Sequence, residues 1–163
     1  PITDTESFQS IAGIDSIAVT VTVGESDAAS RQFRVFATHL LPPMNRSLFK
    51  QRNDQLRDVA RRVKGHRQQF PGVPAVLVGD LNLTPWSPLF SELQLQSGLK
   101  RGIDAFSLTP TWYRFPGFPF GLVLDHGLVE PSLVCTSYQV GPSIGSDHRS
   151  ITIRLTTIES GTP

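Results

Sequence analysis

A mixed α/β fold, mostly antiparallel sheet covered by helices, is what this 163-residue sequence predicts. Three observations carry the prediction. An alternating β-branched run and a second strand-like run flank a short polar turn, one long stretch has helical amphipathicity, and a short continuous apolar run is followed by a second helical stretch. The length favours one domain with a real core. With 39% hydrophobic residues, 18% charged and a net charge of +1, composition excludes both a disordered chain and a strongly basic nucleic-acid binder.

Taken in order, 17–23 alternates Ile, Val and Thr with small and polar residues, as a half-buried strand does. The polar turn 24–30 returns the chain into 33–40 (FRVFATHL), so the pair reads as an antiparallel hairpin with His39 at its end. Pro42 and Pro43 stop that strand, and Asn45 is placed to cap a helix running from Arg46 to Gln69. The helix puts Leu48, Phe49, Leu56, Val59, Ala60 and Val63 on one stripe. Its other sides are basic, and such a face is ordinarily just solvated. His66, within it, reads as a surface residue.

Ala75-Val76-Leu77-Val78 has the unbroken apolarity of a strand covered on both faces, and it runs out into Gly79-Asp80-Leu81-Asn82. Ser87 and Pro88 open a second helix to about residue 96, which Gly98 stops. Residues 104–121, rich in Pro, Gly and aromatics, read as an irregular loop whose Trp112 and Tyr113 either line a substrate or pin the loop to the core. Strand-like runs at 122–129, 133–140 and 149–156 close the chain. Cys135, the only cysteine, excludes an intrachain disulfide and reads as a free buried thiol. No apolar run reaches the roughly 18 residues of a bilayer span, and the start has no signal-peptide pattern, so the segment reads as soluble. It begins at Pro1-Ile2 without Met, which predicts that a longer parent was cut here.

The polar residues that point to chemistry all sit at strand ends: His39, Asp80 with Asn82, Asp125, and Asp147 with His148. Singly each is weak, because an Asp leaving a strand is commonly a turn residue. Together, three carboxylates, an amide and two imidazoles suit hard divalent cations and phosphoryl chemistry. No GxSxG, HExxH or CxxC pattern supports acyl transfer or zinc.

In order and spacing, Thr38-His39, Gly79-Asp80-Leu81-Asn82, Leu124-Asp125-His126 and Ser146-Asp147-His148-Arg149 resemble the later motifs of the endonuclease/exonuclease/phosphatase superfamily, whose fold is that of DNase I. The similarity spans 17–155. His39-Leu40-Leu41-Pro42-Pro43, Arg52-Asn53 and the run from Asp80 to Ser87 are similar to bacterial members that often carry membrane-spanning helices before the catalytic domain. On that likeness the parent is expected to be membrane-anchored.

The resemblance implies a Mg²⁺- or Mn²⁺-dependent hydrolase of phosphate esters, a phosphodiesterase or nuclease, acting by in-line attack of water. Asp80 would orient and deprotonate that water, and Asn82 would hold it or a phosphate oxygen. His148 would meet the scissile phosphate, with Asp125 fixing its imidazole. Asp147 would sit at the metal and His39 would contact a phosphate oxygen. His126 reads as structural, and Arg149 as the start of the last strand. Nucleic acids, phospholipids and small phosphodiesters are all cleaved on this scaffold, and fold does not choose among them. The near-neutral charge argues mildly against a tight nuclease. The reading from another class is a non-catalytic scaffold module that keeps the fold.

The family's domain is a four-layered sandwich of two similar halves, so residues 1–163 would be little more than the C-terminal half of one domain. The earlier half would supply a metal-binding Glu. Glu6 and Glu25 lie in polar contexts with no strand expected before them, and Glu92, Glu130 and Glu159 come too late in the order. The segment alone is therefore expected to be inactive, and its uncovered sheet face to favour a homodimer.

Overall fold

The computed structural model describes residues 1–9, 15–24, 30–102, 109–115 and 119–157. Six strands form the main sheet in the order β1-β2-β3-β4-β8-β5. They are β1 (Ile2–Gln9), β2 (Asp15–Val23), β3 (Arg31–His39), β4 (Ala75–Asp80), β5 (Lys100–Arg101) and β8 (Asp125–Val129). All pair antiparallel except β3 with β4, which run parallel because helix α1 (Arg46–Gln69) carries the chain back between them. Two hairpins stand outside this sheet. One pairs β9 (Leu133–Val140) with β10 (Ile151–Thr157), the other β6 (Trp112–Tyr113) with β7 (Gly121–Leu122).

The core lies between one sheet face and the helices. Phe36, Leu77 and Leu128 from the strands meet Leu56, Val59 and Val63 of α1 and Phe90 and Leu93 of α2 (Pro88–Ser97). Among the described residues, the opposite face is covered at one side, where Val76, Val129 and Leu133 pack with Ile153 and Leu155. Farther along it, Ile17 is 45% and Val23 56% exposed. Among the described residues, no helix is long and apolar enough to cross a membrane.

Local signals set the element ends. Asn45 Oδ1 accepts the Leu48 N–H at 2.9 Å and starts α1 where the sequence places it. Gly98, at φ 70°, ends α2 in the left-handed conformation that glycine adopts freely. The expected turn at 24–30 lies mostly outside the described residues, as do Glu25, Glu159 and much of 104–121.

Four expectations need correction. The segment before residue 10 is a strand, although only Phe8 of it is buried. Its polar alternation is held by pairing to β2 and by the Arg34 guanidinium, which reaches Asp4 at 2.6 Å and Glu6 at 2.9 Å. Phe49 is 47% exposed, and Arg52 and Gln55 take the buried α1 positions instead, because both have polar partners beneath the helix. His66 is partly buried between the rings of Phe36 and Phe70, with Nε2 bonded to Val73 O at 2.9 Å. Cys135 is free and half-buried rather than buried.

Candidate functional site

Strand register alone aligns three of the chemistry-bearing residues. His39 is the Cα partner of Asp80 across β3 and β4, and Asp80 is that of Asp125 across β4 and β8. The row depends on Gly79, whose φ is +138° and whose missing Cβ would fall 1.8 Å from Thr38 O. No other residue type permits that approach.

After Asp80 the chain turns sharply. Asn82 takes a positive φ of 46°, a conformation that Asn tolerates, and its N–H bonds Asp80 Oδ1 at 2.8 Å. Both hydrogens of the Asn82 amide are engaged, on Leu40 O at 2.7 Å and Asp80 Oδ2 at 3.2 Å. What this side chain has left to offer is Oδ1, an acceptor. The turn is braced from α1: Arg52 donates to Asn82 O, and Gln55 Oε1 accepts Leu41 N–H at 3.0 Å.

His148 enters from the loop before β10. Its Nδ1 lies 2.9 Å from Asp125 Oδ2, and its Nε2 is 3.8 Å from Asp80 Oδ2. The Asp125 carboxylate holds a proton on Nδ1 and fixes the ring with Nε2 facing Asp80. His39 Nε2 comes within 3.5 Å of the same Asp80 oxygen. Burial raises the Asp80 pKa from its ordinary value; the Asn82 N–H opposes the shift, the Asp125 charge adds to it, and both imidazoles oppose it.

One carboxylate oxygen each of Asp80 and Asp125 and a ring nitrogen of His148 lie within 4.8 Å of one another. Asp147 is not part of that group: its Oδ2 accepts Trp112 Nε1 at 3.1 Å, and its backbone O accepts Tyr113 N–H at 2.8 Å. Trp112 and Tyr113 thus tie their loop to the His148 segment, and Trp112 also bridges His148. The Arg149 guanidinium lies 4.4 Å from the centre of the Tyr113 ring. The glutamates among the described residues are engaged elsewhere: Glu6 by Arg34, Glu92 by Arg57 and Glu130 by Arg67.

Thr111 is a positioning residue that sequence reasoning missed. It is fully buried, and its Oγ1 accepts the N–H groups of Leu124 and Asp125, each at 3.0 Å. Thr111→Val keeps the shape and orphans both donors, so urea denaturation is expected to show a loss of about 3 kcal/mol. An unchanged midpoint would mean that water replaces the hydroxyl.

His126 is structural, as expected. It is 2% exposed, bonds Leu83 O through Nε2 at 2.7 Å and packs on the Phe90 ring at 4.8 Å. Burial pushes its pKa from 6.5 down to about 4. The unfolded chain therefore binds the extra proton first, so the contribution is whole above pH 6.5 and falls away as the pH drops through 4. The expected loss by pH 4 is about 3 kcal/mol, because each tenfold change in proton affinity is worth roughly 1.4 kcal/mol. His126→Gln, which keeps a donor but does not titrate, should flatten the stability-pH slope in this window; equal slopes would show that His126 does not carry it.

No curated protein matches the chain. Solved structures do. The human Nocturnin catalytic domain with bound sulfate anion superposes with a TM-score of 0.73 at 19% identity, over 97% of this chain and 60% of that one. A Neisseria 3′ phosphatase bound to product DNA hairpin gives 0.73 at 20% identity, over 96% and 72%. A Bacteroides thetaiotaomicron mannosyl-6-phosphatase gives 0.68 at 15%, over 96% and 67%. These likenesses establish a DNase I-like fold, of which the present chain spans about three fifths of the human domain's length. The sequence model of the Endonuclease/Exonuclease/phosphatase family matches residues 8–148, across every strand that supplies the row of His39, Asp80 and Asp125, and the chain belongs to that family.

Proposed function

We propose that this chain carries the water-activating part of a metal-dependent phosphoesterase. The observation that supports it most is the convergence of Asp80 and the Asp125-oriented His148, with His39 beside them. Water attacks phosphorus in line with the leaving oxygen: its oxygen forms the new P–O bond, Asp80 takes its proton, and the ester P–O bond breaks. The leaving oxygen takes a proton from solvent and departs as the alcohol, and Asp80 returns its own proton to solvent. A raised pKa makes Asp80 the stronger base for this step. The free acceptor of Asn82 suits the attacking water better than a phosphate oxygen. His148 and His39 meet the equatorial phosphate oxygens, whose charge grows in the transition state.

The oxygen-rich donor set fits Mg²⁺ or Mn²⁺. Asp147 is the proposed holder of the ion, although its carboxylate stands apart from the group of Asp80, Asp125 and His148 and accepts Trp112 Nε1. When bound, the cation polarises the phosphoryl oxygen. Residues beyond these 163 complete the domain and supply a further carboxylate to the metal, so the chain alone is inactive. Its uncovered sheet face around Ile17 and Val23 supports a homodimer in that isolated form.

The test is metal-dependent hydrolysis of an aryl phosphodiester by this chain and by a form extended at its N-terminus. Activity in the extended form alone supports the proposal. Activity in the short chain overturns the incomplete-site reading, and metal binding without hydrolysis in either form favours a scaffold.

A further inference from the structure

Thr111, Trp112 and Tyr113 address the chemistry-bearing residues one after another. Thr111 Oγ1 holds the Asp125 N–H, and Thr111 O accepts the Arg149 N–H at 2.7 Å. Tyr113 N–H donates to Asp147 O at 2.8 Å. Between them, Trp112 bridges His148 and donates its indole N–H to Asp147 Oδ2 at 3.1 Å. The two flanking backbone bonds already pin 147–149, so the loop does not need the indole bond to stay in place. What that bond adds is the direction of one side chain.

Asp147 is exposed, and an exposed carboxylate otherwise samples several rotamers. Among the described residues, the indole is the one group hydrogen-bonded to this carboxylate, and Oδ1 has no partner. The kind of donor matters. Arg149, two residues on, is the cation closest in sequence, yet its guanidinium lies 4.4 Å from the centre of the Tyr113 ring, and no ion pair joins it to Asp147. A guanidinium on the carboxylate would cancel its charge. A neutral indole N–H, which donates and never accepts, fixes one oxygen and leaves the negative charge for a cation.

We propose that Trp112 is the positioning residue of the cation site, its indole N–H fixing Asp147 Oδ2 so that Oδ1 is presented to a divalent metal ion. The inference rests on the reading of Asp147 as holder of the ion. Mg²⁺ keeps several waters and is anchored by one or two carboxylates, so freedom removed beforehand from one of them counts heavily. Hydrogen-bond partners of metal-ligating side chains are typically worth roughly 10–100-fold in affinity. A tryptophan that only pins its loop would leave that affinity unchanged.

The experiment is Mn²⁺ titration of the N-terminally extended form, read from the paramagnetic resonance of the free ion, for the unaltered protein, Trp112→Phe, Asp147→Asn and the double variant. Phe keeps an aromatic ring and every backbone bond of β6 and removes only the donor. Expected are about tenfold weaker Mn²⁺ binding for Trp112→Phe, at least as large a loss for Asp147→Asn, and no further loss in the double variant. Half-maximal hydrolysis of an aryl phosphodiester by Trp112→Phe should need about tenfold more Mn²⁺, with excess metal recovering most of the lost rate. A second readout needs no substitution: Mg²⁺ should shift the assigned indole N–H magnetic resonance of Trp112 in the unaltered protein. Unweakened binding by Trp112→Phe beside a loss in Asp147→Asn overturns the inference alone. So do tighter binding, which makes the indole a competitor of the ion, additive losses in the double variant, or an unmoved Trp112 resonance. If the unaltered protein binds no Mn²⁺, or Asp147→Asn binds it equally well, the ion-holding reading itself falls and the inference with it.

Discussion

Gly79→Ala is expected to leave little folded protein. A Cβ there would lie 1.8 Å from the Thr38 carbonyl oxygen and 2.9 Å from its carbon, on a backbone held at φ +138°. The obstacle is main chain of the neighbouring parallel strand, which cannot swing aside as a side chain can. Separating β3 from β4 at this point breaks the ladder that seats Asp80. The combined strain and lost pairing are put at about 4 kcal/mol or more, a large share of the roughly 5–15 kcal/mol that holds a domain of this kind together. Thermal melting by circular dichroism checks it, with Gly65→Ala as the matched control. Gly65 lies within α1 with nothing within 4 Å of its would-be Cβ, so that change should stabilise by about 0.5–1 kcal/mol. A cooperative melt for Gly79→Ala near that of the parent would mean that β4 can reach its place by another path.

The second large effect separates stability from activity. Asp80→Asn in the extended form is expected to lower kcat for an aryl phosphodiester by roughly 10²–10⁴-fold, the range for removing a positioned general base. Folding should be hardly changed. Burial already disfavours the charged form of Asp80, and an amide at the same place keeps an oxygen for the Asn82 N–H and gives up only the longer contact from the Asn82 side-chain amide. The paired result, a lost rate with a kept melting temperature, is what a group held for chemistry shows. A variant that loses both would instead make Asp80 a structural partner of Asn82.

Most of the fold was legible because its signals are local. Asn45 and Gly98 mark helix ends by their own conformations, and the β2–β3 alternation follows from a sheet with one covered face. The row of His39, Asp80 and Asp125 was legible as well, since the first two close strands, the third opens one, and the strands align. What escaped depends on distant partners. Strand β1 has almost no apolar face, and only Arg34, far along the chain, gives its Asp4 and Glu6 a reason to be in a sheet. Arg52 and Gln55 fall at helical spacing with Leu56 and Val59, so the signal was present; polarity hid it, because a buried Arg makes sense only once Asn82 O is known to lie beneath. Thr111 carries no mark at all, since a hydroxyl that accepts two backbone N–H groups looks in sequence like any loop threonine.

The parallel pairing of β3 with β4 also governs when the site can come into being. Parallel neighbours cannot be joined by a tight turn, and here all of α1 intervenes. His39 is separated from Asp80, and Asp80 from Asp125, by roughly forty residues each, so every closure that builds the row is a long one with a similar entropic penalty. No local hairpin can preform any part of it. During synthesis the nascent chain cannot set Asp80 beside Asp125 until β8 has emerged and inserted next to β4, and the Asp125 orientation of His148 comes later still, with the loop before β10. The gathered row of His39, Asp80 and Asp125 is therefore a late product of folding, absent from every partly made form of the molecule.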